Sequence, residues 1–71
     1  MERIDLYLEK PINILGEKGQ YYPNVIHIDT TSPDDEYVED TNGEILFLNE
    51  MDTIMRLNTL KLIDQNKDKN G

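Results

Sequence analysis

The stretch Tyr37 to Glu50, YVEDTNGEILFLNE, constrains this chain more than any other. At its centre stands Asn42-Gly43, the pair preferred in a two-residue type I′ turn because both central residues need positive φ. A turn there predicts a β-hairpin with Thr41 opposite Glu44, Asp40 opposite Ile45, Glu39 opposite Leu46, Val38 opposite Phe47 and Tyr37 opposite Leu48. In that register Val38, Ile45 and Phe47 form a core set. Tyr37, Leu46 and Leu48 take the other side, fringed by Glu39 and Glu44, and that side is either covered by another element or left for a partner.

The remaining segments read mostly as strands. Ile4, Leu6 and Leu8 alternate with Arg3, Asp5, Tyr7 and Glu9, the period of two of a half-buried strand. Pro11 cannot donate to a ladder, so an edge or a bulge is expected there. Ile12 and Ile14 keep the earlier parity, which fits one long bent strand. A loop follows over Gly16 to Gln20, then a strand over Val25 to Asp29 with Ile26 and Ile28 facing the core. Thr30 to Glu36 (TTSPDDE) is a polar loop. Composition agrees: alanine is absent, whereas Ile, Val and Thr together number fifteen, and β-branched residues favour strands.

Asn49 is placed to cap one or two helical turns ending near Arg56, with Glu50 and Asp52 in the first turn. A longer helix would scatter Leu57, Leu60 and Ile63 around its cylinder. A short turn and a closing strand near Thr59 to Ile63 are therefore expected. Asp64 to Gly71 (DQNKDKNG) has nothing to bury and reads as a disordered polar tail. The fold expected is mainly β: a five-stranded barrel over residues 1–63, with one helical turn before the last strand, and a tail over 64–71. The arrangement Y-V-x-D-T-x-G-E-I-x-F-x-x-E within residues 37–57 resembles the hairpin and following turn of small SH3-like barrels, including phage and prophage proteins, and GEKG before VIHID agrees with it. That resemblance implies an SH3-like barrel that binds proteins, peptides or RNA and is not an enzyme.

Charge is unevenly placed. Between Lys18 and Arg56 there is no Lys or Arg, yet there are nine acids: Asp29, Asp34, Asp35, Glu36, Glu39, Asp40, Glu44, Glu50 and Asp52. That segment carries −9 and the rest of the chain +1, which makes the net −8. Such a field repels phosphate backbones, which excludes direct nucleic-acid binding as the main role, and favours a basic partner. The plain alternative is that the acid only keeps the chain soluble.

Chemistry-bearing motifs are sparse. His27 is the single histidine, and no Ser or Cys sits in a nucleophile motif to pair with it. On the polar side of a strand it reads as a satisfied or surface residue rather than a general base. Asp40-x-Asn42-Gly43-Glu44 brings oxygens together, but the sixth and twelfth positions counted from Asp40 are Ile45 and Met51, not the Gly and Glu of a calcium loop. No metal site and no cofactor are expected. Tyr21-Tyr22-Pro23 reads as one ring completing a thin core and one lying outside it.

With no cysteine there is no disulfide and no thiolate metal site, which suits a reducing cytoplasm. No apolar run is long enough for a membrane span, and the N-terminus alternates and carries acid, unlike a signal peptide. The expectation is a soluble, cytoplasmic, acidic interaction protein. It would bind a basic protein partner through Asp34, Asp35, Glu36, Tyr37, Glu39, Glu44 and Leu46, in the manner of a phage-encoded inhibitor that covers a nucleic-acid-binding surface. The alternative is a structural or assembly subunit that uses the hairpin edge for strand addition.

Overall fold

The computed structural model describes the backbone of residues 3–69 and side chains as far as Asn66. Four strands, β1 (Asp5–Leu15), β2 (Tyr21–Asp29), β3 (Tyr37–Asp40) and β4 (Ile45–Phe47), form one antiparallel sheet in the order β1-β2-β3-β4. A 3-10 turn, Leu48–Glu50, leads to one helix, α1 (Thr53–Lys69), which packs on a single face of the sheet, chiefly against β1. The protein is mainly β, as the strand periods predict. Among the described residues, no helix is long and apolar enough to cross a membrane.

One rung across the sheet defines the covered face. Leu6 pairs with Ile28, Ile28 with Val38, and Val38 with Leu46. Ile28 and Val38 are fully buried, and the core is completed by Ile14, Val25, Leu48, Met51, Met55 and Ile63. Pro11 sits where the β1–β2 register shifts between Tyr7 and Ile12, and β1 is an edge strand, the place a missing donor is tolerated. Another shift follows between Ile12 and Ile14, and the β2–β3 pairing has its own between Val25 and His27, beside Asn24, whose φ is +59°. Because of it Val25 and Ile28 are buried while Ile26 is only half-buried, which corrects the expected Ile26–Ile28 pair. Tyr22 packs against the core and Tyr21 is exposed, as the paired tyrosines suggest.

The hairpin turns one residue differently from its expected form. Tyr37 pairs with Phe47, Val38 with Leu46 and Glu39 with Ile45. Only Gly43 has positive φ (+81°), so the loop is not a type I′ turn. The cause is Asp40. Its backbone carbonyl accepts from Gly43 N–H, and its Oδ1 accepts from both Asn42 N–H (2.8 Å) and Glu44 N–H (3.0 Å). Aspartate at the first position of a type I turn and glycine at the fourth suit a three-residue loop closed by a bulge. A shift of one residue exchanges the two faces of a strand. Ile45 is consequently 47% exposed and Leu46 packs on the core, the reverse of the expected arrangement.

The barrel does not close, because Thr59 to Ile63 is helix rather than a fifth strand. The buried stripe of α1 is Met55, Thr59 and Ile63, spaced by four, with half-buried Leu60 and Leu62 beside it. Thr59 at its centre is polar, which hides the helical period in the sequence. Its hydroxyl donates to the Met55 carbonyl at 2.9 Å, so it is not left unpaired when buried. Asp52, not Asn49, caps the helix: its Oδ1 accepts from Met55 N–H at 2.8 Å. Its other oxygen accepts from Glu17 N–H and Gln20 Nε2, tying the β1–β2 loop to the helix start. A Cβ on Gly16 would lie 2.7 Å from that same oxygen, so a larger residue there would push the Asp52 carboxylate and the Gln20 side chain aside. Asp64 to Lys69 continue the helix where a polar tail is expected, and residues 70 and 71 of that tail lie outside the described residues.

Candidate binding face

With α1 on one side, the opposite side of the sheet is left open, and two rungs cross it. The first is Tyr7, His27, Glu39 and Ile45; the second is Asp5, Asp29, Tyr37 and Phe47. Alternation puts them there: Leu6, Ile28, Val38 and Leu46 point to the helix, so their neighbours in each strand point away. Neither rung carries a Lys or Arg.

His27 is the hub, only 4% exposed. Its Nδ1 lies 2.8 Å from Glu39 Oε1 and its Nε2 2.5 Å from Asp5 Oδ1. An ionised carboxylate can only accept, so this geometry favours both nitrogens as donors, the imidazolium form of the ring. Burial acts to lower the His27 pKa, but hydrogen bonds and attraction to Asp5 and Glu39 outweigh it, and the net direction is upward. Tyr7 stacks flat on the ring, with centroids 4.1 Å apart and planes within 4°, which places a π-face against the cation. Tyr37 meets the ring edge-on at 5.7 Å, and Phe47 meets Tyr37 at 6.3 Å.

Asp29 is organised by its own loop. Thr31 donates to its Oδ1 from both hydroxyl and backbone N–H, and these bonds hold its pKa below the usual carboxylate value. Tyr37 donates its hydroxyl to Asp29 Oδ2 at 3.4 Å. Partial burial and the neighbouring carboxylates Asp29 and Glu39 push the Tyr37 phenol pKa up, so it stays a neutral donor. Three carboxylates and one imidazolium leave the rungs with a net charge of −2. Both His27 nitrogens are engaged by carboxylates. Asp5, His27 and Asp29 are also the described residues whose ligand-capable atoms converge, and they are the set able to hold a metal ion.

The residues expected from the sequence are divided by the fold. Tyr37 and Glu39 lie on the open face. Asp34 and Asp35 are exposed and Glu36 half-buried in the loop joining Asp29 to Tyr37, at the rim of the second rung. Glu44 is exposed in the hairpin turn at the far end. Leu46 faces the helix and packs on the core, so the structure does not bring it to the others. Sequence reasoning missed Asp5, Tyr7, Asp29 and Phe47 and gave His27 no place in a site. The alternation of DLYL and HID marks their faces, but their meeting depends on the β1–β2 pairing, which no local pattern specifies. No known family model, curated protein or solved structure matches this chain.

Proposed function

We propose that this protein is a small acidic interaction module whose open sheet face docks a basic surface of a protein partner. The observation that carries the reading is the uncovered face itself. Tyr7 is 67% exposed and Ile45 47% exposed among three carboxylates, with the acidic loop 34–36 at the rim. Aromatic anchors supply contact area at low entropy cost, and the carboxylates steer and orient a Lys- or Arg-rich surface. The partner class in this reading is a nucleic-acid-binding protein, because clustered carboxylates can substitute for phosphates on a basic surface, the role of a phage-encoded inhibitor. His27 hydrogen-bonds the carboxylates of Asp5 and Glu39 and so orients both on this face.

The test is affinity capture from the native host followed by reconstitution with the purified candidate. The partner is expected to be basic, to bind more slowly as salt rises, and to be displaced by its own DNA or RNA. Tyr7→Ala and the combined Asp34→Asn, Asp35→Asn variant should each weaken the complex while the melting temperature changes little. A complex indifferent to both variants and to salt would sink the reading. Strand addition at the hairpin edge finds only three residues in β4, whereas β1 offers eleven at the other edge. Assembly of that kind would protect β1 amides from exchange and leave Tyr7→Ala without effect.

A further inference from the structure

We propose that Asp5, His27 and Asp29 form a binding site for a divalent first-row metal ion of the zinc class, with Glu39 orienting the imidazole. His27 and Asp29 are two apart on β2 and so share its open face, and pairing of β1 brings Asp5 beside them. One ligand atom from each lies within 4.8 Å of the others. Ligands at about 2.0–2.2 Å from a tetrahedral zinc sit roughly 3.3–3.6 Å apart, so the His27–Asp5 pair, now 2.5 Å apart, has to open by about 1 Å to admit the ion, and a pair near the 4.8 Å limit has to close by about as much. Asp5 can supply that movement, since its side chain is 54% exposed on an edge strand.

The surroundings match what a metal histidine requires. A ligating imidazole keeps its other nitrogen on a carboxylate or carbonyl, which sets the tautomer and the ring plane. Glu39 holds Nδ1 in that way and leaves Nε2 directed at Asp5. Thr31 and Tyr37 fix the Asp29 carboxylate in the same outer-shell manner. The ring is clamped between Tyr7 and Tyr37, so little further ordering is needed on binding. When the ion arrives, the proton that Nε2 donates to Asp5 leaves to solvent and the nitrogen lone pair binds the metal. Neutral imidazole and two carboxylates balance a dication and leave a fourth position for water. One nitrogen and two oxygens suit zinc, cobalt or nickel, whereas calcium needs six to eight oxygens. The inference does not rest on the docking reading, because the ion would bind with or without a protein partner.

Chelator-stripped protein titrated with Zn²⁺ by calorimetry, and with Co²⁺ by visible absorption, tests the site, while circular dichroism monitors the fold. One equivalent should bind, with a Co²⁺ band of tetrahedral intensity and with Mg²⁺ and Ca²⁺ unable to compete. Asp5→Asn, at an exposed position that should still fold, should weaken Zn²⁺ at least tenfold. Glu39→Gln should cost about 10–100-fold, as loss of an orienting carboxylate does. The double variant Glu9→Gln, Asp64→Asn removes two exposed acids elsewhere and should bind as the parent does. Absence of a one-equivalent transition overturns the proposal. So does binding that Asp5→Asn leaves intact, that the distant double variant weakens equally, or that Mg²⁺ competes away.

Discussion

Replacing Asp40 by alanine tests what holds the β3–β4 hairpin in its observed register. The side chain is nearly buried, and its Oδ1 accepts from Asn42 N–H at 2.8 Å and Glu44 N–H at 3.0 Å. A hydrogen bond to a charged group contributes about 1.5–3 kcal/mol when its partner is otherwise desolvated. Both amides belong to exposed residues, so water recovers part of each bond once the carboxylate is gone. A net loss of about 2 kcal/mol is expected. A domain of this length has a total stability of roughly 4–10 kcal/mol, so the loss is a large share and should lower Tm by about 8–16 °C. Asp40→Asn retains an Oδ1 acceptor and should lose less than half as much. Asn42→Ala separates the two possible turns. In the observed loop Asn42 is not at positive φ and the change should cost under about 0.5 kcal/mol, whereas a type I′ turn would make alanine there cost about 1–2 kcal/mol. Urea denaturation followed by circular dichroism gives all three values, with an unchanged slope showing that the unfolded state is the same. An Asp40→Ala variant as stable as the parent, or an Asn42→Ala variant more damaged than it, would refute the reasoning.

Stability should depend on pH through His27, which faces Asp5 and Tyr7 from β1, Asp29 from its own strand, and Tyr37 and Glu39 from β3. Its folded pKa is raised from 6.5, so its contribution is complete below that value and is lost as pH climbs through the folded one. Asp29, lowered from 3.8, contributes above that value and loses its contribution as pH falls through its folded pKa. Melting in chelator should therefore show a plateau between, with a decline above about pH 6.5 that His27→Gln abolishes; a level curve to about pH 9 in the parent would contradict the buried imidazolium. The two faces of β4 give a separate check. Leu46→Ala should cost about 2 kcal/mol or more as a core truncation, and Ile45→Thr under about 1 kcal/mol because Ile45 is half exposed; the opposite order in chemical denaturation would restore the two-residue turn.

Period and punctuation made much of the sheet legible. Leu6 and Leu8 alternate with Asp5 and Tyr7, Pro11 marks the irregular stretch of an edge strand, and GEKG marks the first turn, all of which the structure keeps. These signals are local: each depends on which way one residue points relative to the next. The central acid run is equally visible, because charge can be counted without a fold.

Lateral relations were decided by the tertiary structure. Asn42-Gly43 signals a hairpin, but Asp40 captures the loop amides and lengthens the turn by one residue, which sends Leu46 inward and Ile45 outward. Thr59 interrupts the apolar stripe of α1, and only the sheet beneath and the bond to the Met55 carbonyl show why a helix can bury it. His27 is an isolated histidine in the sequence and the centre of the open face in the fold, since Asp5 lies 22 residues before it and Glu39 lies 12 after it. Alternation tells which face of its strand a residue takes, whereas pairing between strands chooses what lies beside it. That choice is made by the energy of the whole sheet, which no single segment contains.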